Sequence, residues 1–415
     1  MKKIDEIISE YFGYSLKKEQ REIIELIING IDTIGLLPTG FGKSVTYQIP
    51  ALLFDGVTLV VSPLIALMQD QVSSLKEKGI KAEYINSLQT KEEQEIIYNK
   101  LINNKIKLLY VSAERLKSKR FIETITKLNI SLFVCDEAHT LLWSEDFREA
   151  LGEIPNFLRL LSKRPKMLAL TATATTSTIT KIINLLDLNN PQIIKGNCDR
   201  LNIFYRNIKT TNKDKELLKY LSTKRNIHGL IYCLTIKNCD YVYSLLKSNN
   251  YNVELYYGTM DSSLKKKTQT QYKNHEIDII IATNAFGMGI DVPDIRFVIL
   301  YDLPQSLEDY LQQTGRASRD NEYAEGVLLF NIKDIDTISH FIENINQNDK
   351  TIKELKQIKN DRYNKLNKMI NFSLTRKCLH QQISEYFGIS HKGRCMMCSN
   401  CVKKQWKLMK ELILT

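Results

Sequence analysis

Nowhere in the 415 residues does an apolar run approach the roughly 18 needed to cross a bilayer, which argues against a membrane-spanning helix. The opening segment, MKKIDEIISEYF, is amphipathic and charged and lacks the unbroken apolar core of a signal peptide. Internal repeats are missing too, which sets aside solenoids and propellers. No tract is of low complexity beyond a bias toward Asn, Lys and Ile. Cys135, Cys198, Cys233 and Cys239 are scattered through apolar settings and read as buried thiols, not as a disulfide framework. These absences point to a soluble, intracellular chain in a reducing compartment, with no membrane partner.

The composition, 43% hydrophobic and 25% charged, is that of an ordinary folded protein. Its length is large for one core and suggests two or three domains. The net charge of +11 is unevenly placed: Lys350–Thr415 holds 15 Lys/Arg against 4 Asp/Glu, and the remainder is balanced. A basic segment on a neutral body suggests a phosphate-backbone contact surface, although charge alone does not separate this from a solvated lysine face.

Through residue 199, short β-rich runs alternate with longer helical stretches. Strands are expected at Thr33–Leu37, Thr58–Ser62, Lys107–Val111, Leu132–Asp136 and Met167–Thr171. A second series follows at Gly229–Cys233, Val253–Tyr257, Ile277–Ala282, Phe297–Tyr301 and Gly326–Phe330. Such alternation implies right-handed βαβ units and parallel sheets covered on both faces. The polar segment Thr210–Lys215 is a candidate junction. Beyond Phe330, Ile352, Leu355, Ile358, Leu366 and Met369 recur at near-helical spacing.

Pro38-Thr39-Gly40-Phe41-Gly42-Lys43-Ser44 follows the first strand and opens a helix. Glycines let successive N–H groups converge on phosphate oxygens, and the helix N-terminus adds a favourable dipole. Lys43 is placed to reach β- and γ-phosphates, and the Ser44 hydroxyl to ligate Mg²⁺. Leu37 stands where the strict pattern has its first glycine, and Phe41 takes an inner position where glycine is common. Asp136-Glu137-Ala138-His139 follows the apolar run Ser131–Cys135. Asp136 is then expected at a strand's carboxyl end to hold the Mg²⁺ shell, and Glu137 to orient and deprotonate water. His139 alone reads more often as a satisfied structural histidine than as a catalytic one. In Gln312-Gln313-Thr314-Gly315-Arg316-Ala317-Ser318-Arg319-Asp320, Arg316 and Arg319 are expected on one helical face as cations for the transferring phosphoryl group.

Cys378, Cys395, Cys398 and Cys401 fall within one short window, the last three as C-x2-C-x2-C. Four thiolates can enclose one tetrahedral Zn²⁺, a set that is structural and not catalytic. An iron–sulfur cluster is the alternative, and paired disulfides suit a reducing compartment poorly.

These blocks, in this order, resemble the RecQ family of superfamily 2 DNA helicases. TGFGKSVTYQIPAL, VVSPLIALMQDQV, YVSAERL, VCDEAH and LALTATAT are similar to its first-lobe motifs. IIATNAFGMGIDVPDIRFVILYDLP and QQTGRASRD are similar to its second-lobe motifs, and the likeness runs from about residue 8 to 401. The resemblance implies an α/β fold of two tandem RecA-like parallel-sheet lobes, 1–199 and 200–345, followed by a small helical zinc-binding domain, 346–415. It adds Lys17 and Gln20 as an adenine-recognition segment, Gly289 and Asp291 in the nucleotide set with Thr39, Gly40, Phe41 and Gly42, and Gln312 beside the arginines. Trp143, Asp146, Phe147 and Arg148 resemble the aromatic-rich loop that couples single-stranded DNA to hydrolysis. Trp143 and Phe147 can stack on bases, worth about 1–3 kcal/mol each, or else belong to a core. ATP, Mg²⁺ and Zn²⁺ are the implied cofactors, with single-stranded and partly duplex DNA as partner and a monomer as the working form. Repair and recombination are the implied settings, in cytoplasm if bacterial or nucleus if eukaryotic.

The chain departs from the family pattern in places. Glu145 stands where histidine is usual in a loop one residue short, the adenine segment is also one residue short, and Ser318 replaces a usual glycine. Only fourteen residues follow Cys401, so neither a winged-helix nor a terminal helical domain is expected in this sequence. The activity implied is ATP-dependent 3′ to 5′ unwinding. Its rivals are a translocase or annealing remodeller that separates strands weakly, an accessory nucleic-acid-binding factor, and an RNA helicase.

Overall fold

Strand pairing is parallel throughout the two sheets. The computed structural model describes residues 2–38, 40–63, 65–139, 154–172, 174, 176–196, 200–286, 292–345, 351–388 and 393–403. Parallel strands need both faces covered, and the runs Val57–Val61 (VTLVV) and Ile130–Cys135 (ISLFVC) supply apolar residues to each side. The described chain divides into two compact units, Met1–Asn197 and Cys198–Thr415.

In the first unit the strands are β1 Thr33–Leu36, β2 Val57–Val61, β3 Ala82–Ile85, β4 Leu108–Val111, β5 Ile130–Cys135, β6 Lys166–Thr171 and β7 Gln192–Lys195. They form a seven-stranded sheet in the order β3-β4-β2-β5-β6-β1-β7. Successive side chains enter opposite cores: Leu59, Phe133 and Ala169 one, Val60, Val134 and Leu168 the other.

The second unit carries β8 Ile203–Lys209, β9 Gly229–Tyr232, β10 Val253–Tyr256, β11 Ile279–Ala282, β12 Phe297–Leu300 and β13 Ala324–Phe330. Their order is β10-β11-β9-β12-β13-β8. A Cβ at Gly229 would stand 1.9 Å from the Phe297 ring, so this paired position requires glycine. One core of the unit joins strand residues such as Tyr205, Val298 and Leu328 to Leu366, Met369, Phe372, Leu379, Ile383, Cys398 and Cys401. The helices Ile352–Leu374 and Leu379–Tyr386 therefore pack on the second sheet and bury no separate core among the described residues.

Each expected strand exists, with ends shifted by a residue or two. β3, β7 and β8 were not expected; all three are sheet edges. Because β8 belongs to the second sheet, the junction lies before it and not at Thr210–Lys215, which leads into the helix Lys213–Leu221. The arginine segment also differs from expectation. Its helix ends at Thr314, and Ser318 takes a left-handed φ of 52°, so Arg316 and Arg319 lie beyond the helix and not on one of its faces. Thr39, Trp143, Asp146, Phe147, Arg148, Gly289 and Asp291 lie outside the described residues. Among the described residues no helix is long and apolar enough to cross a membrane.

Candidate nucleotide site and metal centre

The turn after β1 and the residues after β5 meet at the carboxyl edge of the first sheet, where open α/β sheets bind ligands. Gly40 and Gly42 adopt φ of 77° and 81°, conformations that other residues reach only with strain. A Cβ on Gly42 would also stand 2.7 Å from Gln20 Nε2. Phe41 is not among the positive-φ residues, so an aromatic side chain fits its inner position. The Lys17 ammonium sits 4.1 Å from the centre of the Phe41 ring. Ser44 stands at the N-terminus of the helix Val45–Leu53.

Lys43 Nζ donates to Glu137 Oε1 at 2.7 Å across 94 residues of chain. Glu137 is held at φ 47°, a left-handed conformation that is costly outside glycine and tends to cluster at functional sites. The backbone N–H of Glu137 donates to Asp136 Oδ1 at 2.9 Å, and Asp136 N–H donates to Val61 O at 2.9 Å. Burial, and then the neighbouring Glu137 charge, push the Asp136 carboxyl up to about 6 against the pull of Lys43. His139 is buried, with Nδ1 2.8 Å from Thr171 Oγ1 at the end of β6 and 3.4 Å from Glu137 Oε2. Lys43, Asp136, Glu137 and His139 are thus brought together as the sequence suggested. Thr171 joins them; it lies inside LALTATAT, and its place at a strand end was the available signal.

Gln20 is engaged at both ends of its amide. Its Oε1 accepts from the Lys17 N–H at 2.8 Å, and its Nε2 donates to Phe41 O at 2.8 Å and Gly42 O at 3.0 Å. Here it ties the helix Lys18–Ile28 to the phosphate loop, so reading a base edge would require it to exchange one of these bonds.

In the second unit, Gly315 N–H caps the arginine helix on Leu311 O at 2.8 Å. Arg316 is buried beside Tyr232, and Arg319 N–H donates to Pro293 O at 2.8 Å. Ser318 compensates for its backbone by satisfying its hydroxyl, which receives Asn202 Nδ2 at 2.8 Å and donates to Glu322 O. Asp320 pairs with Arg296. Gln312 lies on the helix Leu307–Thr314, and Gln313 beside it bonds Asn284.

Cys378, Cys395, Cys398 and Cys401 bring their sulfurs within 4.8 Å of one another. Cys378 to Cys395 is 3.3 Å and Cys395 to Cys401 is 3.9 Å. Tetrahedral Zn–S bonds of about 2.3 Å set sulfurs about 3.8 Å apart, so the four fit one ion. Backbone N–H groups of Leu379 and Met397 point at Cys398 Sγ (3.4 Å) and Cys395 Sγ (3.3 Å), as suits thiolates. His228, His275 and Asp294 also cluster within 4.8 Å. Their imidazoles stack at 4.0 Å with 7° between planes, so the ring lone pairs run in parallel and do not converge on one ion.

The comparisons with known proteins agree with this geometry. Residues 17–182 match the DEAD/DEAH box helicase family, 212–321 the helicase conserved C-terminal domain, and 332–402 the RecQ zinc-binding family. The chain is 37% identical over 95% of its length to the ATP-dependent DNA helicase RecQ of Bacillus subtilis, covering 66% of that protein. It is 34% identical over 96% of its length to the RecQ of Pasteurella multocida, covering 62%. The chain belongs to the RecQ family. It spans somewhat under two thirds of the length of these RecQ relatives. The fold is also shared with MrfA helicase bound to DNA, at TM-score 0.68 and 16% identity, covering 82% of this chain and 52% of that one. The RecQ zinc-binding match begins at residue 332, so it takes in the helix Lys333–Glu343 ahead of the basic helix.

The RecQ zinc region spends part of its charge on itself. In the helix Ile352–Leu374, Lys359 bonds Glu343 at 2.5 Å, Lys365 lies 3.3 Å from Glu308, and Lys368 covers the Tyr386 ring at 5.1 Å. Lys353 and Lys356 stay exposed toward the helix start.

Proposed function

We propose that this RecQ chain is an ATP-dependent DNA helicase that moves 3′ to 5′ along single-stranded DNA and parts duplex ahead of it. The observation that carries the reading is the Lys43–Glu137 pair at 2.7 Å, set between Asp136 and His139 at the end of β5. An incoming γ-phosphate competes for Lys43, and its capture frees the Glu137 carboxylate to orient the attacking water. Thr171 keeps the His139 ring in place beside Glu137. Asp136 and Ser44 are the residues that would hold Mg²⁺, which neutralises charge on the β- and γ-oxygens when bound. Arg316 and Arg319 supply the remaining positive charge in the transition state, a role worth on the order of 10³–10⁵ in rate. The four cysteines hold Zn²⁺ as a structural brace, and Lys353 and Lys356 offer phosphate contacts beside it. Trp143 and Phe147 stack on DNA bases, and the chain acts as a monomer in repair or recombination.

The test is strand displacement on duplexes with 3′ or 5′ single-stranded tails, alongside ATPase with and without single-stranded DNA. Unwinding of the 3′-tailed substrate with DNA-stimulated hydrolysis is expected, and Lys43→Ala should abolish both. Hydrolysis indifferent to DNA would sink the coupling. Stimulated hydrolysis with neither duplex opened would leave a translocase or annealing remodeller in its place.

A further inference from the structure

The helix that presents the two arginines is built into the wall of the cysteine site. Tyr310, at its centre, is fully buried, with its ring 4.9 Å from Phe372 on the basic helix and 5.7 Å from Tyr205 on β8. Tyr205 in turn faces the cysteines. Its N–H donates to Met397 O at 3.1 Å, its backbone bridges to Cys398, and its ring lies 4.7 Å from that of His380. His380 Nε2 reaches the same Met397 carbonyl at 3.0 Å, two residues after the site's first helix-capping cysteine. Glu308, two residues before Tyr310 and buried, faces Lys365 at 3.3 Å and lies near the Tyr386 hydroxyl. At the helix's other end Thr314 Oγ1 donates to Tyr310 O at 2.7 Å, and Gly315 turns the chain into Arg316. Close-packed aromatic contacts of this kind transmit displacements instead of absorbing them. Arg316 follows Tyr310 by six residues, just beyond the helix end at Thr314.

We propose that the cysteine site sets the position of Arg316 and Arg319 through this path, with Tyr205 and Tyr310 as positioning residues, so that loading the metal tunes hydrolysis. The inference rests on the functional reading above for the arginines' role, and on the contacts alone for the path. A misplacement of an ångström at a group that stabilises a transition state can cost on the order of 100-fold in rate. Nucleotide affinity, held by residues of the first unit, has no such dependence.

Two measurements on the full chain test it. In the first, Zn²⁺ is withdrawn from the wild type with a chelator, and amide hydrogen exchange is followed by peptide. Faster exchange is expected at 378–401 and at 307–319, with β9, β11 and β12 still protected. Loosening confined to 378–401 would overturn the path. So would uniform loss across the unit, since the metal would then hold the fold as a whole. In the second, Tyr310→Leu is assayed with single-stranded DNA and its zinc content measured. A kcat lowered at least about tenfold, with KM for ATP and zinc retained, supports the path; a wild-type kcat overturns it. The exchange measurement decides independently if that variant does not fold. A wild type without DNA-stimulated hydrolysis would refute the functional reading and leave the exchange result standing.

Discussion

Asp136 illustrates how one buried carboxylate sets conditions for the whole site. Its proton is held to about pH 6, against 3.8 for an ordinary aspartate, chiefly by burial. Because the folded value is raised, this group's contribution to stability is fully present below about pH 3.8 and is lost as pH rises through 6. Asp136→Asn should therefore stabilise the nucleotide-free first unit at pH 7.5, by on the order of 1–3 kcal/mol, while abolishing hydrolysis. Urea unfolding with an ATPase assay checks both halves; a destabilised variant would contradict the account. In the wild type, hydrolysis should fall as pH drops through about 6, and added Mg²⁺ should move that midpoint lower by competing with the proton. Ser318 makes a second residue-scale case. Its left-handed backbone favours glycine, but its hydroxyl is doubly engaged. Ser318→Ala should cost about 1 kcal/mol or more, since the hydrogen bonds go and the strain stays. Ser318→Gly should be nearly neutral because backbone relief offsets the same loss. Urea midpoints for the two variants separate these terms.

Elements in the second unit are pinned at the carboxyl edge by one largely covered cation. Lys213, at the start of the helix Lys213–Leu221, bonds Asp302 at 3.0 Å after β12 and Asp334 at 2.5 Å in the helix Lys333–Glu343. Asp302 also accepts from Leu234 N–H and Asn238 Nδ2, both at 2.8 Å. Lys213→Met would leave two buried carboxylates facing each other and should cost about 3–5 kcal/mol, read by thermal unfolding. Pairing across such distances was not legible in the sequence, nor was the Lys43–Glu137 bond or the left-handed Glu137. What was legible follows from burial. Central strands covered on both faces write continuous apolar runs, as in β2 and β5, and each was expected within a residue or two. Edge strands write mixed ones: β7 is QIIK with a single buried residue, and β3 is AEYI. β8 alternates in burial only over its first four residues, and IFYRNIK does not alternate apolar with polar, so its sequence carries no clear period-2 signal. The arginines were read as helical because their spacing allows it, yet Gly315 and the conformation of Ser318 end the helix first.

At the scale of the molecule, the arrangement of cores decides how metal loss spreads. Each hydrophobic core among the described residues draws on one unit only, and the cysteines share theirs with β8, β9, β12 and β13. The nucleotide loop and the DEAH segment rest on cores that contain none of the zinc region. Zinc sites contribute folding free energy directly, so its removal should lower the stability of the second unit and leave the first untouched. Elemental analysis should first give about one zinc per chain; iron with visible absorbance would replace the assignment by a cluster. Chelation should then lower the melting transition of the second unit and preserve ATP affinity, measured by direct binding of a fluorescent nucleotide. DNA-stimulated hydrolysis should fall in step with zinc content, because the basic helix and the arginine helix both pack in the core that holds the cysteines. Loss of nucleotide affinity on chelation would show that the two units do not respond separately, and with it the division of labour proposed for them would fail.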